Sequence, residues 1–265
     1  MQLTVNGQTI KYLLRGEGEP ILFLHGNPDT SHLWSGMIAL LEKQYLCIAP
    51  DLPGYGESEI APDFDFSLSG QANFIDDFVK ALKLDSPVHL VVHDVGAFFG
   101  LSWAVACSEQ VRSITIFNTA YTRDYRWHKL GRIWRTPLLG ELSLALMDER
   151  TFVGSIRRVA PKLPKNVITQ SYQQLTKKTH KTMLKLYRAM NPSVFIGWDE
   201  RFQRVARQTP VQVVWGSQDP YIERRIARTF GTEKITYLED YSHWVPAEAP
   251  EQAAECLVSF LNDLD

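Results

Sequence analysis

Three residues of this 265-residue chain, Asp94, Asp219 and His243, have the types and the chain order that covalent carboxylate chemistry demands. Asp94 sits where the apolar run from Val88 stops at His93-Asp94-Val95-Gly96 and a helix-forming segment, Leu101 to Cys107, follows without a longer loop. A strand, sharp turn and helix of this kind hold one side chain above the carboxyl end of a sheet, beside free backbone N–H groups. A carboxylate presented there attacks an electrophilic carbon and forms an ester to the protein, which water must then break. The second step needs a base suited to neutral pH, which points to histidine. Of the seven histidines only His243 lies on a loop after the last strand, in Asp240 to Pro246. Its imidazole needs a carboxylate to fix its tautomer and balance its charge. Asp219, after the strand Val211 to Gly216, holds a comparable loop position. The order nucleophile, acid, histidine is the one expected for such a sheet. Negative charge that builds up also needs donors, each worth about 3 to 4 kcal/mol of barrier, and the backbone N–H groups of Val95 and Asn27 are the candidates. Each residue has a plainer reading: Asp94 as a turn former, His243 as a loop histidine capping a helix, Asp219 as a strand terminator, Asn27 as an Asx-turn former before Pro28. Their joint occurrence in order favours catalysis, while His93 is expected to support the turn.

The elements that must position these residues follow from periodicity. Leu3 to Arg15 alternates around Asn6-Gly7, predicting an antiparallel hairpin. Ile21 to His25 reads as a strand buried on both faces, followed by the loop Gly26 to Thr30 and a helix near Leu33 to Leu41. A strand over Tyr45 to Ala49, a turn-rich loop over Asp51 to Ser58, and a helix with the stripe Ile75, Phe78, Val79 and Leu82 come next. After the Asp94 turn, Val111 to Phe117 is another strand. The alternation then breaks, and only helical periodicity and loops occupy residues 120–208. It resumes at Val211 with a strand, a short helix, a strand over Lys234 to Leu238 and a terminal helix over Glu251 to Leu261. The expected fold is a mostly parallel, doubly wound α/β sheet with an N-terminal hairpin, built from residues 1–119 and 209–265, with a helical insertion over 120–208.

Bulk properties agree with one such domain. A 45% hydrophobic content supplies a sizeable core. No apolar run reaches the roughly 18 to 20 residues of a membrane span, and the first residues lack a signal-peptide pattern, so a cytoplasmic protein with no membrane partner is expected. Cys47, Cys107 and Cys256 are far apart in apolar contexts and show neither a disulfide framework nor a metal spacing. No metal and no cofactor is expected. The net charge of −2 conceals a division: residues 121–210 hold 18 of the 28 Lys and Arg but six of the 30 Asp and Glu, a local +12 against −14 elsewhere. Pairing between the basic segment and the acidic remainder is the expected use of that charge, ahead of attraction of anionic substrates or plain solvation. No motif accompanies it that would indicate nucleic-acid binding.

Four motifs carry a resemblance across nearly the whole chain: Val-Val-His-Asp-Val-Gly (91–96), His-Gly-Asn-Pro-Asp-Thr-Ser-His-Leu-Trp (25–34), Asp-Leu-Pro-Gly-Tyr-Gly-Glu-Ser (51–58) and Ser-His-Trp-Val-Pro-Ala-Glu-Ala-Pro-Glu (242–251). Together they resemble the α/β-hydrolase superfamily, in its aspartate branch of haloalkane dehalogenases and epoxide hydrolases. The resemblance implies the α/β-hydrolase fold with an inserted helical cap, and a hydrolase taking a small apolar substrate and water. His-Gly-Asn-Pro is similar to the dehalogenase motif in which this asparagine amide contacts the departing halide, a role that passes to Asn27. Dehalogenases usually place tryptophan after the nucleophile as the second halide donor; here Val95 keeps only the backbone N–H. Trp127, Trp134 or Trp198 from the insertion is a candidate replacement. In epoxide hydrolases two cap tyrosines protonate the epoxide oxygen, and the setting of Tyr187 resembles one of them; no second one is identified, Tyr121 and Tyr125 at the start of the insertion being the others considered. Fluoroacetate dehalogenases carry arginine where Val95 stands. The expectation is therefore a haloalkane substrate, with an epoxide as alternative, a lyase or acyl hydrolase using Asp94 unusually as a further one, and a non-catalytic receptor on the same fold as the reading from another class. The expected state is a monomer or homodimer.

Overall fold

The computed structural model describes residues 1–264. Among them, eight strands form one sheet: β1 (Gln2–Val5), β2 (Gln8–Arg15), β3 (Glu19–Leu24), β4 (Tyr45–Pro50), β5 (Val88–His93), β6 (Val111–Phe117), β7 (Val211–Gly216) and β8 (Ile235–Leu238). Their order is β1-β2-β4-β3-β5-β6-β7-β8. β1 and β2 form the hairpin around Asn6-Gly7, both residues at positive φ as such a turn requires, and β2 runs antiparallel to β4. Every pairing from β4 to β8 is parallel. Parallel strands are covered on both faces, and every residue of β5 and β7 is buried.

The order reverses between β3 and β5, since the chain winds from β3 outward to β4 and then returns to the other side. At such a switch point the loops leaving the two strands part, opening a crevice at their carboxyl ends. Asn27 follows β3 and Asp94 follows β5, so the topology alone brings these two to one place.

Helices α1 (Ser35–Leu41), α2 (Leu68–Leu82) and α3 (Gly96–Ala106) follow β3, β4 and β5. Between β6 and β7 lie six α-helices: α4 (Lys129–Arg135), α5 (Leu139–Ala145), α6 (Glu149–Val159), α7 (Lys165–Gln173), α8 (Lys177–Ala189) and α9 (Trp198–Val205). The short α10 (Val245–Glu248) and the terminal α11 (Pro250–Asn262) close the chain. Alternating residues of β3 divide the core. Leu22 and Leu24 pack with Ile75 and Phe78 of α2 on one face, and Ile21 and Phe23 pack with Met37 of α1 and Leu257 of α11 on the other. The segment after β7 that reads as a short helix is a 3-10 turn, Arg224–Phe230. The three cysteines are free.

One boundary differs from its sequence expectation in a way that matters. The helix after Asp94 begins at Gly96, five residues before Leu101. Gly96 and Gly100, within the added turn, allow close packing: a Cβ on Gly96 would lie 2.4 Å from the carbonyl oxygens of Leu24 and His25, and one on Gly100 would lie 2.6 Å from Val92. The helix N-terminus is thereby pressed against β3. Gly96→Ala is expected to lower stability by about 1 to 3 kcal/mol, read as a lower midpoint of urea unfolding. An unchanged midpoint would show that α3 can move away from β3 at no cost.

Candidate active site

Asp94 is the residue between strand and helix, held at φ +47°. The left-handed region is open to aspartate at modest cost, and here the turn is fixed from three sides. Its carbonyl accepts the Thr119 hydroxyl at 2.7 Å and the Ala97 N–H at 3.1 Å. A side chain on Gly26 would come within 2.4 Å of the Asp94 Cβ, so the β3 loop can lie against the carboxylate only as glycine.

The two oxygens of Asp94 have different surroundings. Oδ2 accepts the backbone N–H of Asn27 at 2.8 Å, and the Val95 N–H also supports the carboxylate. Oδ1 faces His243 Nε2 at 3.9 Å, too far for a direct hydrogen bond. Burial pushes this carboxyl up from its ordinary value, while the His243 charge and the two N–H groups pull it back.

His243, on the loop after β8, is buried, and its Nδ1 donates to Asp219 Oδ2 at 2.8 Å, leaving Nε2 toward Asp94. Burial lowers its proton affinity. The charge and hydrogen bond of Asp219 lead the opposing influences, followed by Asp94 and Asp29, and the imidazole is pushed up to about 9. At Asp219 burial opposes ionisation. The charge and hydrogen bond of His243, the Asn118 amide at 2.8 Å and the Tyr221 N–H at 2.8 Å outweigh it and hold the carboxyl below its usual value. The structure thus brings Asp94, Asp219, His243, Asn27 and the Val95 N–H together at the carboxyl edge of the sheet. His93, one residue before Asp94, lies against the His243 ring with centroids 4.7 Å apart and donates from Nε2 to the His243 carbonyl at 2.9 Å.

Two supporting residues have no motif of their own to reveal them. Asn118, ending β6, accepts the Gly216 N–H at 2.8 Å and donates to both Gly216 and Asp219, tying the ends of β6 and β7 to the acid. Asp29 is buried beside the site, accepting the Ser171 hydroxyl at 2.7 Å and the Trp244 indole N–H at 3.0 Å. Burial pushes its carboxyl up to about 6, against the pull of those two donors. The only sign of it in sequence is its place in the His-Gly-Asn-Pro-Asp run.

A cavity of about 180 Å³ lies over Asp94 and His243, with Asn27, Tyr125, Trp134 and Tyr187 among its lining residues and aliphatic side chains over much of the rest. The Asn27 amide donates to the Tyr187 hydroxyl at 3.4 Å and accepts the Tyr55 hydroxyl at 3.3 Å. The three candidate tryptophans part company. Trp127 lines the cavity, but its N–H is spent on the Met190 carbonyl at 2.9 Å. Trp134 lines it with a buried N–H that has no partner among the described residues. Trp198 is not among the lining residues; its ring stacks under the Arg201 guanidinium at 4.0 Å, as its position at the start of α9 dictates. Of the tyrosines near Tyr187 in the reading of the sequence, Tyr125 lines the cavity, whereas Tyr121 turns into the core to bond Ser102 at 2.8 Å. Among the described residues no group of three or more His, Cys, Asp or Glu side chains is placed to hold a metal ion.

A histidine whose proton affinity is raised on folding stabilises the fold fully below its unfolded value of 6.5, and loses that contribution as pH rises through about 9. In Asp219→Asn the His243 titration, followed by NMR of the ring, is expected to drop far below 9, and the loss of stability across that window should fade. A titration that stays near 9 would assign the upshift to Asp94 instead.

A family model described as the alpha/beta hydrolase fold matches residues 19–249. The chain is 26% identical over 287 residues to a cis-3-alkyl-4-alkyloxetan-2-one decarboxylase of Xanthomonas campestris pv. campestris, covering 96% of this chain and 93% of that one. It is 40% identical over 111 residues to a haloalkane dehalogenase of Agrobacterium fabrum, covering 42% of this chain and 36% of the other. Among solved structures, an epoxide hydrolase of Bacillus megaterium in complex with an inhibitor matches over 99% of this chain and 100% of its own, with a TM-score of 0.78 at 24% identity.

Proposed function

Since the chain belongs to the alpha/beta hydrolase family, we propose that this hydrolase, of the haloalkane dehalogenase and epoxide hydrolase type, opens a small apolar electrophile through an ester on Asp94. Residues 120–208 act in this reading as a cap that supplies the cavity's aromatic side chains. Oδ1, the oxygen that faces His243, is the attacking oxygen; it bonds to the substrate carbon as the leaving atom takes the electron pair. Oδ2 stays under the Asn27 N–H and becomes the ester carbonyl oxygen. His243 then takes a proton from water, whose oxygen attacks the carboxyl carbon of the ester. Negative charge gathers on Oδ2, where the Asn27 N–H already waits, with the Val95 N–H beside the same carboxyl. Collapse expels the alcohol, which receives the proton from His243, and restores Asp94. Esterification also removes one of the charges that raise His243, so the imidazole sheds its proton more readily when it must act as base.

The electrophile supported best is a strained oxygen ring, an epoxide giving a diol. The observation that carries this reading is the pair of phenols, Tyr125 and Tyr187, in one cavity with Asp94. Burial, and then the Asp94 charge, push both phenols up, so they remain protonated donors for an oxygen that becomes alkoxide as the ring opens. The full-length similarity to a protein named for a four-membered oxygen ring favours the same substrate class. A haloalkane is the second reading, supported by the Asn27 amide and the unpartnered Trp134 N–H. It falls behind because Val95 offers no side-chain donor and the Trp127 N–H is engaged.

Intact-mass measurement on His243→Gln, which keeps the first step and blocks the second, separates the readings. An epoxide adds its whole mass to Asp94, whereas a haloalkane adds its mass less that of the hydrogen halide. Absence of any adduct across both panels would remove Asp94 as nucleophile. Tyr187→Phe is expected to cut epoxide turnover by about 10²- to 10³-fold, while Trp134→Phe should leave diol formation intact and reduce only halide release. Carbon dioxide released from a cis-disubstituted oxetan-2-one would instead assign the four-membered ring.

A further inference from the structure

Among the described residues seven large apolar side chains are exposed, and four of them cluster on and beside α5: Leu138 (81% exposed), Leu139, Leu142 and Leu146 (72%). Leu138, Leu142 and Leu146 follow one another at four-residue steps and share one face. Leu144, on the other side of α5, is buried and lines the cavity over Asp94. Leu138 also sits at φ +68° and ψ −43°, a conformation that costs a branched residue strain. A strained backbone that holds a leucine out in water is stable only because the surrounding structure imposes it, and a contiguous apolar ridge of this kind marks an interaction surface.

The charge beside the ridge says what covers it. A shallow groove between α5 and α8 is lined by Lys177, Lys181 and Lys185, again at four-residue steps. Its carboxylate, Glu141, is neutralised by both guanidinium nitrogens of Arg188 at 2.8 Å. Among the described residues Lys177 and Lys181 form no ion pair. The expected pairing of the basic segment with the acidic remainder does not consume them either: the one ion pair between residues 120–208 and the rest, among the described residues, is Lys162–Asp240 at 3.7 Å. That pairing is carried elsewhere, by Lys162 and by Lys178, which bonds the Gly56 and Ser58 carbonyls under the pull of Asp51, Glu59 and Glu57.

We propose that the outer face of α5, with the α8 lysines, seats the protein on an anionic lipid surface. The leucines enter the boundary between headgroups and acyl chains while the lysines meet phosphates. No helix is long and apolar enough to cross a membrane among the described residues, so the contact is peripheral, and it revises the expectation of no membrane partner. A second copy fits less well, since a two-fold contact would set the lysines of one copy against those of the other. The cavity lies directly behind the ridge, on the inner side of the same helix, and an apolar electrophile is most concentrated in a bilayer.

Co-sedimentation with vesicles tests this without any substrate, so its outcome stands apart from the reading of the reaction. The protein is expected to bind vesicles of equal phosphatidylglycerol and phosphatidylcholine roughly tenfold or more above pure phosphatidylcholine, and to release in high salt. Leu138→Asn with Leu142→Asn and Leu146→Asn, and separately Lys177→Ser with Lys181→Ser, should each weaken binding by about tenfold. None of these side chains lines the cavity, so turnover of a water-soluble substrate should persist. Failure to bind anionic vesicles, equal binding to both compositions, or a leucine variant that binds like the wild type would overturn the proposal. So would light scattering that shows a wild-type dimer broken by the leucine substitutions.

Discussion

A carboxylate taken out of water must be matched by donors or a countercharge, and the site is built to meet that requirement three times within one small volume. The carboxyls of Asp94, Asp219 and Asp29 are all drawn out of water around a single imidazole, His243. Each is matched differently: Asp94 by backbone N–H groups, Asp219 by His243, Asn118 and two backbone N–H groups, Asp29 by a serine hydroxyl and an indole. The unequal matching sets their roles. Asp219, best supplied, stays ionised and holds the histidine; Asp94, with fewer donors, keeps Oδ1 toward His243 for the chemistry proposed for it. The turn geometry at residue 94, the Gly26 approach and the course of the β3 loop follow from having to deliver those donors.

Much of this was legible in the sequence because it depends on local pattern. Apolar runs that end abruptly mark parallel strands, and loops that follow such strands must emerge at one edge of the sheet, so Asp94, Asp219 and His243 could be brought together from order alone. What depends on packing between distant segments was not legible. The start of α3 at Gly96 does not show in the sequence, because what Gly96 and Gly100 pack against lies at the end of β3 and on β5. The fates of Trp127, Trp134 and Trp198 turn on which indole meets a carbonyl, and no spacing states that. Asp29 and Asn118 were passed over for the same reason: their partners lie far along the chain, on α7, on the His243 loop and at the end of β7.

In the proposed reaction the cavity's aromatic wall adds something that Asp94, Asp219 and His243 lack. An aspartate, a histidine and two N–H groups serve any electrophile that leaves with its electrons; the choice of leaving atom belongs to whichever donors face it. Tyr125, Tyr187 and Trp134 come from the β6–β7 excursion and Asn27 from the core, so the chemistry and its selectivity arise from separate parts of the chain.

That separation has a consequence at Asn118. The chain leaves the sheet after β6 and re-enters at β7, which are neighbouring parallel strands, and the Asn118 side chain bridges their ends from the exit side. The excursion of some ninety residues is therefore a closed loop whose two feet are pinned together independently of what lies between them. A change of length, charge or aromatic content between those feet leaves the β6–β7 bridge and its hold on Asp219 in place, so in the proposed reaction the pocket can be altered through a single contiguous insert.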